Sequence, residues 1–176
     1  GNSVVVGGRT GSVGIRVLND LAEGLEARVV AEFWGFDGKM LKTVERTLSL
    51  APDSVTDWGG GILRAEDVDR PSFLTMTLVT KFGEFRNDWM FDYYKRFDLA
   101  DAKVGAEFDG FRVTLSTDRP AFFVWANAKG VRGEFSDNSF TLLPGRPVTL
   151  EFKPKDEVTP EAFRRAFSLM HLRQTY

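Results

Sequence analysis

The sequence predicts an all-β protein of two tandem domains, each a sandwich or barrel of short antiparallel strands. In run after run, apolar and polar residues alternate with the two-residue period of half-buried strands. Glycine, proline and Asp-Gly turn signals interrupt those runs at short intervals. Almost no stretch carries the 3.6-residue period of an amphipathic helix, which excludes parallel βαβ units. A length of 176 residues fits two small sandwiches.

Gly14–Asn19 is a short β-rich run closed by Asn19-Asp20. From Leu25 to Trp34, residues Leu25, Ala27, Val29, Ala31 and Phe33 alternate with Glu26, Arg28 and Glu32, the pattern of a strand with one wet face. Phe36-Asp37-Gly38-Lys39 then predicts a two-residue type I′ hairpin, whose central positions need positive φ. Met40–Leu50 returns antiparallel. Ala51-Pro52 and Gly59-Gly60-Gly61 break the pattern and predict a loop. Phe73–Phe82 alternates again, with Leu74, Met76 and Leu78 facing inward, and Gly83-Glu84 turns it into Phe85–Tyr94. Asp98–Ala102 separates two alternating patterns and places the domain boundary near residue 98, giving domains 1–98 and 99–176.

In the second domain Lys103–Phe108 meets Phe111–Thr117 through Asp109-Gly110, a second Asp-Gly signal. Ala121–Ala126 is apolar throughout and reads as a strand buried on both faces, with Trp125 its surest core residue. Further strands are expected at Gly133–Phe135, Ser139–Leu143 and Pro147–Phe152. Thr159-Pro160 starts one helical turn, since threonine caps and proline suits the first helical position. Phe167–Arg173 reads as the closing strand.

Charge and composition remove several classes of function. With 23 basic and 25 acidic residues interspersed and a net charge of -2, the chain shows no footprint for nucleic acid or anionic lipid. No apolar run approaches the ~20 residues of a membrane span. The start of the sequence lacks the basic and apolar regions of a signal peptide. Cysteine is absent, so disulfides, thiol catalysis and thiolate metal sites are excluded. The compartment stays open between cytoplasm, periplasm and secretion.

The single histidine, His171, falls in the expected last strand and is assigned to packing, so no Ser-His triad is expected. Neither His/Cys ligand spacing nor an acidic calcium loop occurs, and the expectation is no metal and no cofactor. Gly7-Gly8-Arg9-Thr10-Gly11 lacks the phosphate-loop order and is assigned to turn chemistry. Trp34, Trp58, Trp89 and Trp125 are assigned to core or domain interface in preference to a sugar platform.

One stretch carries a family resemblance. Phe122-Phe-Val-Trp125, Phe135-Ser-Asp-Asn138, Leu142-Leu-Pro-Gly145 and Leu172-Arg-Gln-Thr-Tyr176 resemble the turns and strands of the last Ig-like domain of glycoside hydrolase family 2 β-mannosidases. Val17-Leu-Asn-Asp20 and Phe36-Asp-Gly-Lys39 look like the preceding Ig-like domain of the same enzymes. Exo-β-glucosaminidases share similar turns. The resemblance implies two tandem immunoglobulin-like β-sandwich domains, 1–98 penultimate and 99–176 C-terminal.

It also implies a parent whose retaining chemistry lies in a (β/α)8 barrel with two glutamates, one following an asparagine. No Asn-Glu dipeptide occurs here, and a barrel of about 250 residues does not fit. The expectation is a non-catalytic accessory pair partnered by the barrel and other domains of the same parent chain, with no catalytic residue of its own. A free-standing carbohydrate-binding or adhesion module is the alternative, with carbohydrate as partner.

Overall fold

A computed structural model describes residues 2–7, 14–59, 72–91 and 93–175. Gly8 to Gly11 of the glycine segment, Gly60-Gly61, the rest of the weakly patterned stretch up to 71, and Tyr176 lie outside the described residues. The chain divides into two compact units, Gly1–Asp98 and Leu99–Tyr176.

The first unit is a two-sheet sandwich. Strands β1 (Asn2–Gly7), β2 (Gly14–Asn19) and β5 (Ser54–Asp57) form one sheet in the order β1-β2-β5. Strands β3 (Leu25–Gly35), β4 (Met40–Leu50), β6 (Ser72–Thr80) and β7 (Gly83–Met90) form the other in the order β4-β3-β6-β7. All pairings are antiparallel. Ala27, Val29, Ala31 and Phe33 of β3 and Leu74, Met76 and Leu78 of β6 meet Ile15 and Val17 of β2, with Trp58 closing the core. The alternation read from the sequence therefore faces the expected way.

Four details differ from the sequence expectation. Strands β1 and β5 are additional, β5 lying where a loop was expected: it pairs with β2 from Arg16↔Asp57 to Asn19↔Ser54. Four residues between a Pro52 turn and a glycine run are too short to show a period. The first Asp-Gly hairpin is a three-residue loop, closed by the Gly35 N–H on the Lys39 carbonyl at 2.9 Å. Only Gly38 there has positive φ, 87°, which matches a turn followed by a glycine bulge. The turn after β6 sits two residues earlier than expected, at Lys81-Phe82, with Gly83 already paired to Thr80. Glu32 lies on the outer face as expected but is buried, and its carboxylate accepts the Thr75 hydroxyl at 3.3 Å.

Asn19 is fully buried and holds three backbone groups. Its amide donates to the Glu23 and Ala51 carbonyls at 2.9 and 2.8 Å, and its carbonyl accepts the Leu21 N–H at 3.2 Å. The segment after β2 is thus tied to the end of β4.

In the second unit, β8 (Val104–Asp109), β9 (Arg112–Thr117), β11 (Gly133–Phe135) and β13 (Val148–Pro154) form a sheet ordered β11-β13-β9-β8. Opposite it, β10 (Ala121–Ala128), β12 (Phe140–Leu142) and β14 (Phe167–Met170) form a sheet ordered β12-β10-β14. Val113, Leu115 and Leu150 pack on Val124, Ala126 and Leu142 between the sheets. A second cluster surrounds Phe163 of helix α1 (Pro160–Ala166), whose ring stacks on Phe152 at 4.7 Å and meets Phe108 and Phe167 edge-on. Aromatic pairs in these geometries add to area burial. Thr159 caps α1, its hydroxyl accepting the Ala162 N–H at 3.2 Å, and Pro160 stands at the first helical position as the sequence indicates.

The second Asp-Gly signal also shifts by one residue. Asp109 pairs with Arg112, so the loop is Gly110-Phe111, with Gly110 at φ 59° in the first loop position. The closing strand ends at Met170 and a 3-10 turn follows at Leu172–Thr175. His171 therefore sits between strand and turn.

Candidate functional site

Strand β10 departs most from its sequence reading. Ala121–Ala126 is apolar throughout, yet the strand alternates: Val124, Ala126 and Ala128 face the core while Phe123, Trp125 and Asn127 face outward. Trp125, expected as core, is 49 % exposed. The physical reason is that the three-stranded sheet turns only one face to the core, and Trp125 stands on the other. Asn127, two residues on, carried the signal, since a polar side chain at the same period marks the outward face.

A bulge between Ala121 and Val124 sets this alternation. It buries Phe122 and turns Phe123 outward at φ 51°, a left-handed value rare for an aromatic residue. Across the strand pair Met170 lies opposite Trp125 and Ser168 opposite Asn127. Met170 is 47 % exposed, so indole and thioether form an apolar step beside a polar one.

Next to this step is a pocket of about 300 Å³, lined by Trp125, Asn127, Gly133, Glu134, Phe135 and Phe152 among others. It lies between β10 and β11, with Ala126 and Ala128 also in its lining. Lys155 donates to the Glu134 carboxylate, and this bond and its charge hold the carboxyl below the usual range. Arg132 makes a two-point pair with Asp156 at 2.7 and 2.6 Å, and the Lys155 N–H bonds the Arg132 carbonyl, so the segment before β11 is tied to the residues that follow β13.

The Phe135–Asn138 turn reaches beyond itself. The Asn138 side chain accepts the Ala126 N–H at 2.7 Å and donates to the Ala126 carbonyl at 3.1 Å. The Ser139 N–H meanwhile donates to the Val124 carbonyl. The Asn138 amide thus continues the β12 edge of the ladder along β10. Ser136 accepts the Glu151 N–H at 3.0 Å and ties the turn to β13. Asp137 bonds locally, accepting the Asn138 N–H. The motif is structural, and its partners are two neighbouring strands.

The other tryptophans follow expectation. Trp34 and Trp58 are buried, and Trp89 is partly buried against the core. Arg46 lies over the Trp58 ring and donates to its carbonyl at 2.6 Å. His171 is 2 % exposed, with Nε2 3.5 Å from an Asp101 carboxylate oxygen. Among the described residues no group of three or more His, Asp or Glu side chains could hold a metal ion. Among them, too, no helix is long and apolar enough to cross a membrane.

Residues 95–175 match the Ig_mannosidase family of Ig-fold domains. The match spans the second unit, and the turns around Phe135 and Leu142 fall within it. No curated protein matches the chain. Among solved structures, a β-D-mannosidase of Dictyoglomus thermophilum is 20% identical with TM-score 0.77, covering 97% of this chain and 21% of its own. An exo-chitosanase of Amycolatopsis orientalis is 16% identical with TM-score 0.64, covering 96% of this chain and 25% of its own. The same exo-chitosanase in complex with PNP-β-D-glucosamine gives TM-score 0.64 at 15% identity. The likeness extends over both units, and the chain spans about a fifth to a quarter of those proteins.

Proposed function

We propose that this chain is the non-catalytic C-terminal portion of a β-mannosidase-like retaining exo-glycosidase, in which two Ig-like sandwiches, 1–98 and 99–176, support a catalytic (β/α)8 barrel carried elsewhere in the parent. The observation that carries this reading is the coverage. A solved β-mannosidase is matched over 97% of this chain while 21% of its own length is used. Retaining hydrolysis needs two carboxyl groups about 5–5.5 Å apart across the scissile bond, one of them held protonated. Glu134, the carboxyl at the pocket, is instead held below the usual range by Lys155, the opposite of what a general acid requires. No Asn-Glu dipeptide occurs in the sequence.

The test is an assay of the isolated chain and of the full parent on p-nitrophenyl β-D-mannopyranoside. Turnover is expected from the parent, abolished by substituting either barrel glutamate, and none from the isolated chain. Hydrolysis by the isolated chain, or a parent lacking a barrel, would overturn the proposal.

A further inference from the structure

We infer that the outward face of β10 and β14, with the pocket beside it, is a binding subsite for a β-linked hexopyranose oligosaccharide. Trp125 is its stacking platform, and Asn127 and Glu134 are the groups that address the hydroxyls. The inference rests on the second unit alone, whatever the parent protein does.

The first argument is the exposure of Trp125. A large aromatic ring half in water, with Met170 directly opposite, is the apolar surface that a folded unit usually covers. A pyranose with equatorial substituents offers a flat C–H face to such a ring. Phe123, also exposed, stands two residues back on the outward side of the same strand. An extended sugar chain runs in a line, as the strand does.

Polar groups supply the second argument. Asn127 follows on the same face with Ser168 opposite, and Glu134 faces the pocket from β11. A sugar hydroxyl both donates and accepts. An amide can meet it in both senses, while an ionised carboxylate accepts only. Lys155 donates to the Glu134 carboxylate and favours its charged form, and Arg132 just before β11 pairs with Asp156. The pocket, about 300 Å³, is at the lower end of the range for small ligands.

Two other occupants fit less well. An anionic ligand would meet Glu134 among the lining groups and no cation. A protein partner would want a contiguous apolar centre depleted of charge. Here the apolar residues form a strip, bordered by Asn127 and Ser168 and by the Glu134–Lys155 pair.

The whole chain is titrated with β-linked mannotetraose, cellotetraose and tetra-N-acetylchitotetraose, reading tryptophan emission and heat. At least one is expected to bind saturably, with a blue shift and protection of Trp125 from acrylamide. Trp125→Ala should weaken binding at least about tenfold, Trp125→Phe less because a ring remains, and Asn127→Ala measurably. Both side chains face outward, so unchanged circular dichroism of each variant shows that the fold is kept. Absence of binding by all three oligosaccharides overturns the proposal, as does wild-type affinity in Trp125→Ala. Shielding of Trp125 by the rest of the parent chain, with no sugar effect, would make this face a protein contact and also overturn it. None of these results bears on mannoside turnover, which tests the glycosidase reading separately.

Discussion

Replacing Gly133 by alanine should cost the second unit about 2 kcal/mol, although it adds a single methyl group. Strand β11 lies at the edge of its sheet, and Gly133 pairs with Pro154 of β13. A Cβ built on Gly133 would stand 2.2 Å from Cζ of Phe152 and 2.7 Å from the Lys153 carbonyl oxygen. Ordinary carbon contacts begin near about 3.5 Å. The ring would therefore have to retreat by more than about 1 Å. Two neighbours oppose that retreat: Phe152 is buried, stacked on Phe163 at 4.7 Å and leaning on Phe135 at 4.9 Å.

The carbonyl belongs to a paired strand and is equally fixed. Overpacking of this kind costs about 1–3 kcal/mol, and the lost chain entropy of glycine returns less than about 1. For a unit of this size each kcal/mol moves the midpoint by about 4–8 °C, so a fall of about 8–16 °C is expected. Differential scanning calorimetry of the whole chain measures it, and hydrogen exchange of the β13 amides assigns the transition to this unit. Phe152→Leu removes the ring edge, so the cost of the alanine should shrink in that background. An unmoved transition, or an undiminished cost in the Phe152→Leu background, would refute the steric argument.

Asn138→Ala should destabilise the second unit by about 1–3 kcal/mol, because both the N–H and the carbonyl of Ala126 lose their partner. Chemical denaturation would show it as a lower midpoint with unchanged slope. Thr159→Ala removes the cap of α1 and should cost about 1 kcal/mol, with Thr159→Ser recovering most of it in the same denaturation measurement. The depressed carboxyl of Glu134 adds stability above its unfolded pKa, and that contribution is lost as pH falls through the lower folded pKa. The effect is small because the pair is exposed. Glu134→Gln should therefore slightly flatten the acid limb of the melting-temperature profile, and an unchanged limb would argue against the pair.

Strand content, the inward faces of β3 and β6, the α1 cap and the Phe135–Asn138 turn were legible in the sequence. Each is written in a local period or in a residue type with one conformational use. Turn type was less legible. Asp-Gly announces a reversal, but strand register decided that the first loop has three residues and that the second begins at Gly110. Strands β1 and β5 were out of reach because short edge strands are defined by the partner they pair with.

Trp125 marks the division most clearly. Its six-residue apolar run reads as buried on both faces, since periodicity reports a side chain's character and cannot report what lies across from it. The sequence by itself determined that β10 is a strand. Only the tertiary structure decided that a three-stranded sheet leaves its other face open, and that a pocket lies beside the indole. Burial belongs to the assembled sheets, whereas alternation belongs to the chain.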